Sequence, residues 1–445
     1  MIEFKQDYYA DVRIENRFST NISYLDGKLT ESKERREERA FVRVYDGEMW
    51  YYASTTDTRH IQKTLDDLYA VAKPNPNIKE NPVVKRFEVN KAHLETFKNN
   101  SVRDISLSEK TELLRSFLPL ITSESFMSMP MASYIDRNSL FGFYSSLGAD
   151  ISYDYQTCGI VLMCSMVEGE KKLNARWQKG DTDYKNLASV YDEAKKELAE
   201  QAEFMRSSVP VEEGDYTVVL SPQAAGIFAH ESFGHKSESD FMISDQSMKE
   251  EWQIGKQVGS SILTISEQGD ILGTGYTPYD DEGTKARKNY LIKDGILAGR
   301  LHSAQTAAIL EENVTGNARA MDCTFEPIVR MTTTYIEAGD KTFEELISPI
   351  KKGYYIKTIN HGSGMTTFTI APHIAYEIVD GKIARPVQIS VISGNVFETL
   401  GLIDGLSDTM ELLSFVKGGC GKMEQFPLPV GFGGPCVRVS KMKVQ

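Results

Sequence analysis

The stretch Ala229-His230-Glu231-Ser232-Phe233-Gly234-His235 sets two imidazoles five positions apart, with a carboxylate beside the first. These are the parts of a hydrolytic metal site. Neutral imidazole nitrogens ligate zinc, and a carboxylate next to one ligand can serve as general base toward a water at the metal. The spacing needs explaining. On a regular helix, residues four apart are separated by about 40° around the axis and residues five apart by about 140°. His230 and His235 therefore meet only if the helix widens or stops between them. A single π-turn brings positions i and i+5 into register. Alternatively Gly234 ends the helix and His235 folds back from the following turn.

Catalytic zinc usually takes three protein ligands and leaves one position for water. Candidates for the third are the nearby carboxylates Glu238 and Asp240 and the thiol of Cys420, which lies in Gly418-Gly419-Cys420-Gly421-Lys422. Glycines around a cysteine let its backbone approach a metal without steric conflict. Of the other histidines, His60 lies before a helix and His93 and His302 lie in polar surroundings, and all three are expected at the surface. His361 and His373 sit in strand-rich sequence, and His361, in Asn-His-Gly-Ser-Gly-Met, can approach a cleft. No phosphate-binding loop, dinucleotide fingerprint, nucleophile elbow or basic-aromatic pattern is present.

The elements that must position these groups follow from local pattern. Val218 to Ser221 reads as a strand end, Ser221 as a helix N-cap and Pro222 as the first helical residue, so a helix is expected over 222–234. Asp-Gly pairs at 26–27, 46–47, 294–295 and 380–381 predict tight hairpins. Apolar spacing predicts helices near 61–72, 108–121 and 184–206, with shorter ones at 302–312 and 343–351. The segment 151–167 is β-rich. Pro and Gly at 207–216 end the long helix and mark a boundary. The expected fold class is α+β with two domains. Residues 1–208 form an N-terminal α+β domain with an antiparallel sheet and helices, and residues 209–445 a β-rich domain. The Gly- and Pro-rich run 418–436 is expected to be a poor regular strand, either a flexible tail or a loop packed closely on something.

With 445 residues, 41% hydrophobic and 25% charged, the chain reads as an ordinary globular protein of more than one core. A net charge of -13 argues against non-specific nucleic-acid or anionic-membrane binding. No apolar run is long enough to span a bilayer. The charged start lacks a signal-peptide core, and five sparse cysteines form no disulfide framework, so a reducing cytoplasm is the expected address.

Four ordered blocks carry a family resemblance: HESFGHKSESD, TPYDDEGTKARKNYLIKDGIL, GNARAMDCTFEPIVRMTTTYI and GGCGKMEQFPLPVGFGGPCVRV. Together they make the chain resemble the TldD/PmbA family, the U62 metallopeptidases, once labelled modulators of DNA gyrase. The kept His230, Glu231 and His235 match the catalytic, TldD-like kind. The resemblance implies Zn2+ held by His230, His235 and Cys420, with Glu231 as catalytic carboxylate and Glu238, Asp240 and Arg330 behind the ligands or along a substrate channel. It implies cleavage of unfolded or short peptides, including leader segments. It also implies an enclosed site in a homodimer, or in a heterodimer with a PmbA/TldE-like paralogue. The competing reading is a non-catalytic peptide-binding or partner subunit with a structural metal. The chain departs from the family pattern at Arg330-Met331-Thr332-Thr333, where RMTN is usual, and in a shorter glycine-rich stretch around NHGSGMTT. Both places are expected along the substrate channel.

Overall fold

A computed structural model describes residues 2–243 and 245–445. Two sheets divide the chain. The first has seven strands, all within residues 9–181. Its long central strands, Tyr9–Leu25, Met127–Ser145 and Asp150–Glu168, pair antiparallel. Lys28–Tyr45 and Trp50–Thr55 extend one edge, and Lys171–Asp181 joins Asp150–Glu168 at the other. The short Lys91–His93 strand is the single parallel member. The helices Leu107–Phe117 and Tyr191–Ser207 cover one face of this sheet, burying Leu114, Phe117, Ala194, Leu198 and Ala202 on Phe18, Tyr134, Ile160 and Trp177.

The expected Asp-Gly hairpins form at 26–27, 294–295 and 380–381, where both residues take positive φ. At 46–47 only Gly47 does so, because the Asp46 carboxylate accepts the backbone N–H groups of Glu48 and Met49 and supports a wider turn. The long helix expected over 184–206 is broken into Tyr184–Leu187, a single turn at Ala188–Val190, and Tyr191–Ser207.

The second sheet has twelve strands, all within residues 209–444. Its centre is Gly431–Val444, which pairs with Gly214–Leu220, Thr333–Ile336, Ile392–Asn395 and Ile403–Ser414. The Gly- and Pro-rich run was expected to be a poor strand, and here the structure differs. Its second half enters the middle of the sheet, because its glycines admit neighbours no side chain would. A Cβ on Gly433 would lie 2.1 Å from the Glu411 carbonyl oxygen, and one on Gly226 would lie 2.5 Å from Gly433 N. The first half forms a small hairpin, Cys420–Lys422 with Gln425–Leu428, turning through Met423 and Glu424 at φ 47° and 66°.

Side chains tie the two sheets together. Arg13 meets Asp281 at 3.0 Å, Arg43 meets Glu282 at 3.2 Å, and Tyr155 Oη donates to the Thr274 carbonyl. Glu200, on the long helix, accepts from Tyr376 Oη at 2.6 Å and from Lys357. The strand Lys171–Asp181 is thereby held beside the hairpin of Lys352–Gly364 and Thr367–Val379.

Candidate metal centre

The strand Gly214–Leu220 leads directly into the helix Pro222–Ala229. Ser221 Oγ accepts the Ala224 N–H at 3.1 Å, the cap read from the sequence. The helix then widens into one π-turn over His230–Gly234 before tightening at His235–Ser237. Of the two devices open at the level of sequence, the chain uses the π-turn. Gly234 stays right-handed (φ -56°, ψ -53°), so its missing Cβ serves space and not backbone conformation. A Cβ there would lie 2.1 Å from Met331 Sδ.

The widened turn brings the His230 and His235 rings to 5.0 Å between centroids, nearly perpendicular. Cys420 Sγ lies 3.3 Å from His235 Nε2. One ligand atom from each of His230, His235 and Cys420 falls within 4.8 Å of the others. Two nitrogens and a sulfur that close fit a zinc ion with Zn–N bonds near 2.0–2.1 Å and a Zn–S bond near 2.3 Å, with one position left over. The electrostatics agree with a cation site. Burial resists ionisation of Cys420, but the two imidazoles outweigh it and hold the thiol down at about 5. Burial likewise opposes charge on His235, yet Cys420 and Glu238 hold it up at about 10. His230 moves the same way, against burial, through Cys420. Without metal the site thus sets a Cys420 thiolate against a protonated His235.

Glu238 and Asp240 lie behind this set. Glu238 Oε2 faces His235 Nδ1 at 3.2 Å, which fixes the ring and directs Nε2 toward Cys420. Lys422 Nζ sits 3.1 Å from Glu238 and 2.6 Å from Asp240, nearly all of it buried. Burial would push the Glu238 carboxyl up, but Lys422 and His235 bring it below the usual range. Arg330 is fully buried and donates to the Cys420 carbonyl at 2.8 Å and the Gln425 carbonyl at 3.3 Å. It positions the hairpin and does not border open space. The same correction applies to Thr332 and Thr333, which are buried; Thr332 bonds the Glu267 carboxylate, and Thr333 packs against Gly275 and Gly431. The departure from RMTN thus lies away from the cavity.

A cavity of about 480 Å³ opens on the site, bordered by His230 and Glu231 from the π-turn and Gly418 and Gly419 from the Cys420 segment. Glu231 packs against Gly362, where a Cβ would come within 3.1 Å of its Cγ. His361 and His373 also border the cavity, His361 as anticipated. His302, expected at the surface, is buried and bonded to Ser239, Thr306 and Glu312; His60 and His93 are exposed as expected. The first sheet and its helix contribute Arg176, Gln178, Glu197 and Gln201 to the wall. Sequence pattern gave no sign of these residues, because they reach the site across the chain and not along it.

Fold and site together define a metallopeptidase-type protein, and comparison with known proteins gives the same class. Residues 213–445 match the PmbA/TldA metallopeptidase C-terminal domain and residues 10–72 match PmbA/TldA metallopeptidase domain 1. The chain is 30% identical over 441 residues to a metalloprotease of Methanocaldococcus jannaschii, covering 97% of this chain and 95% of that one. It is 28% identical to a zinc metalloprotease TldD homolog of Saccharolobus solfataricus, covering 98% and 96%. Among solved structures, TldE from Thermococcus kodakarensis aligns with a TM-score of 0.78 at 14% identity, covering 98% and 96% of the two chains. A Thermotoga maritima protein that carries the name modulator of a DNA gyrase aligns equally well, at 18% identity and the same coverage. The chain belongs to the PmbA/TldD metallopeptidase family.

Proposed function

We propose that the protein is a zinc-dependent peptidase acting on short or unfolded peptides. The observation that carries this reading is the convergence of His230, His235 and Cys420 beside a 480 Å³ cavity that His230 and Glu231 border. His230, His235 and Cys420 would hold the ion, which when bound supplies Lewis acidity toward a peptide carbonyl and makes water a better nucleophile. The chain's own groups do the rest. Glu231 accepts a proton from the attacking water and returns it to the leaving nitrogen. The water oxygen joins the carbonyl carbon, the C–N bond breaks, and the amine departs carrying the proton. Glu238, held by Lys422, keeps the His235 ring oriented.

The cavity sits between two packed sheets and has the volume of a small-ligand pocket, which favours a few extended residues over a folded chain. A dimer, with a second copy or with a TldE-like paralogue, would enclose it further. The zinc-loaded chain should cleave unstructured peptides. Glu231→Gln should bind zinc as wild type does and lose about 10²- to 10⁴-fold in kcat. A Glu231→Gln variant that cleaves like wild type would remove the base assignment. A wild-type chain holding one zinc but inert on peptides, alone or mixed with a TldE-like subunit, would sink the peptidase reading.

A further inference from the structure

A second recess, of about 50 Å³, lies between the two sheets and shares no lining residue with the cavity at the metal centre. The first sheet brings Arg13, Arg137 and Tyr153 to it, and the second half of the chain brings Asp281, Arg319 and Asp322. Three arginines against two aspartates leave a surplus of one positive charge. Both aspartates are engaged. Asp281 meets Arg13 and accepts the Ala320 N–H, and Asp322 meets Arg39 and accepts the Thr324 N–H. Arg137 pairs with Glu15, which Arg17 also holds. Arg319 is the arginine left over. It is 6% exposed and donates to two backbone carbonyls, those of Met331 and Pro429. Among the described residues no carboxylate lies within ion-pair distance of it, and its Nε makes no hydrogen bond. A guanidinium carries five N–H donors, so much of this fork is unused.

Two neighbours hold unused donors as well. The Arg13 amino groups are taken by Asp281 and the Phe325 carbonyl, but its Nε is buried without a partner. The Tyr153 hydroxyl makes no hydrogen bond among the described residues. Burial first and then Asp281 push its pKa well up, so it stays an O–H donor. Burial pushes Arg319 the other way, below the usual arginine range, and the buried cation Arg330 adds to this; Asp281 offsets it only in part. Water answers such a lining poorly. Each water must place two protons of its own, and the carboxylate oxygens here already have partners.

Size sets the ligand. At about 10–15 Å³ for each water-sized group, the recess holds roughly three or four of them. That is the oxygen count of one tetrahedral oxyanion, and it is too small for a peptide or a nucleotide. Guanidinium forks match phosphate-type oxygens, and a hydrogen bond to an ionised acceptor is about twice as strong as a neutral one. We infer that the recess binds one small tetrahedral oxyanion, of the phosphate or sulfate kind, held by Arg319, Arg13 and Tyr153. The ion clamps the first sheet to the second. Arg319 already holds the carbonyl of Met331, which packs on Gly234, and that of Pro429, which follows the Cys420 hairpin. The clamp therefore braces the back of the metal centre from a separate site, and it does not depend on the peptidase reading.

The experiment is titration calorimetry and thermal unfolding of the full chain with inorganic phosphate or sulfate, against chloride at matched ionic strength, on zinc-loaded and on chelator-treated protein. One ion should bind per chain in both forms, and the unfolding midpoint should climb with its concentration by mass action. Sulfate should bind at least as tightly as phosphate, since the open groups are all donors. Tyr153→Phe keeps the ring stacked on Phe141, 5.0 Å away, and removes a hydroxyl that bonds nothing in the chain. It should leave the midpoint in chloride unchanged and weaken oxyanion binding about tenfold or more. Arg319→Lys keeps the charge, loses the fork and should weaken binding as well. If Arg319→Lys does not fold, Tyr153→Phe alone decides. No saturable heat beyond that of chloride overturns the inference and leaves water in the recess. Binding that vanishes with zinc belongs to the metal and overturns it too, as does binding that Tyr153→Phe leaves unchanged.

Discussion

Gly234 and Met331 share one space: a Cβ on the glycine would sit 2.1 Å from the methionine sulfur. Gly234 is the last residue of the π-turn that lets His235 reach His230, and Met331 is fully buried beside it. The turn and the methionine thus determine each other's position.

Gly234→Ala should therefore do more than a helix substitution usually does. Alanine is the better helix former, so propensity alone predicts a gain. Overpacking against a buried sulfur predicts instead a loss of about 1–3 kcal/mol, with His235 displaced. The variant should unfold at lower denaturant and bind zinc more weakly. Met331→Ala alone should cost about 2–5 kcal/mol through the cavity it leaves. In the double variant the two costs should fall well short of their sum, since each change relieves the other. Strict additivity in denaturant midpoints would show that the two residues are not coupled.

The same pair shows how far the sequence reaches. The five-residue spacing of His230 and His235 is anomalous on a regular helix, so a break or bulge is readable from the sequence alone. The choice of a π-turn over a glycine-terminated helix is not, because it depends on Met331, far along the chain. The capped helix start at Ser221 and three of the four Asp-Gly turns are local and follow local rules. The Gly-rich run does not. Its fate as the central strand Gly431–Val444 depends on close approach by Gly226 and Glu411, which composition cannot reveal. His302 is buried and not exposed, because the polar Thr306 and Glu312 that follow it bond its ring in a buried network that the distant Ser239 completes. Arg330, expected behind the ligands or along a substrate channel, is buried behind the hairpin, and Arg176, which no motif marks, borders the cavity.

Zinc uptake should depend on pH in a direction set by the ligands. In the metal-free protein His235 is held up at about 10 and His230 is raised as well, while Cys420 is held down at about 5. At neutral pH the thiolate is already formed, but a proton occupies the His235 imidazole and must leave before its nitrogen can ligate, and His230 is shifted in the same direction. A raised pKa favours the protonated form, so zinc affinity should rise from pH 6 toward pH 9 with release of protons. A chromophoric chelator competition at several pH values measures this, and a flat profile would contradict it. Alkylation of Cys420 in the metal-free protein should run in the other sense: nearly constant from pH 6 to 8, where an ordinary thiol would speed up about tenfold per unit. Burial pushes Cys164 and Cys436 up to about 11 and Cys323 to about 12, so one labelled site is expected. Zinc should protect it.

The hairpin carrying Cys420 should keep its place when the metal is removed, which separates a catalytic ion from a structural staple. Several anchors hold it independently of any ion. Arg330 donates to the carbonyls of Cys420 and Gln425, Gln425 Nε2 donates to the Glu326 carbonyl, and Gln425 Oε1 accepts the Met321 N–H at 2.8 Å. Lys422 is buried between Glu238, Asp240 and the Val329 carbonyl. Chelation should therefore abolish peptide cleavage while leaving circular dichroism and a single cooperative unfolding transition, with the midpoint lowered only by the lost binding free energy. Lys422→Met should behave in the opposite way. It removes the cation shared by two carboxylates and strands the buried Glu238, at a cost of about 3–5 kcal/mol that added zinc does not restore. Loss of the Glu238 contact to His235 should also weaken zinc by about 10- to 100-fold. If chelation unfolds the second sheet and Lys422→Met leaves stability unchanged, the ion is what holds the hairpin, and the closed structural site becomes the better description.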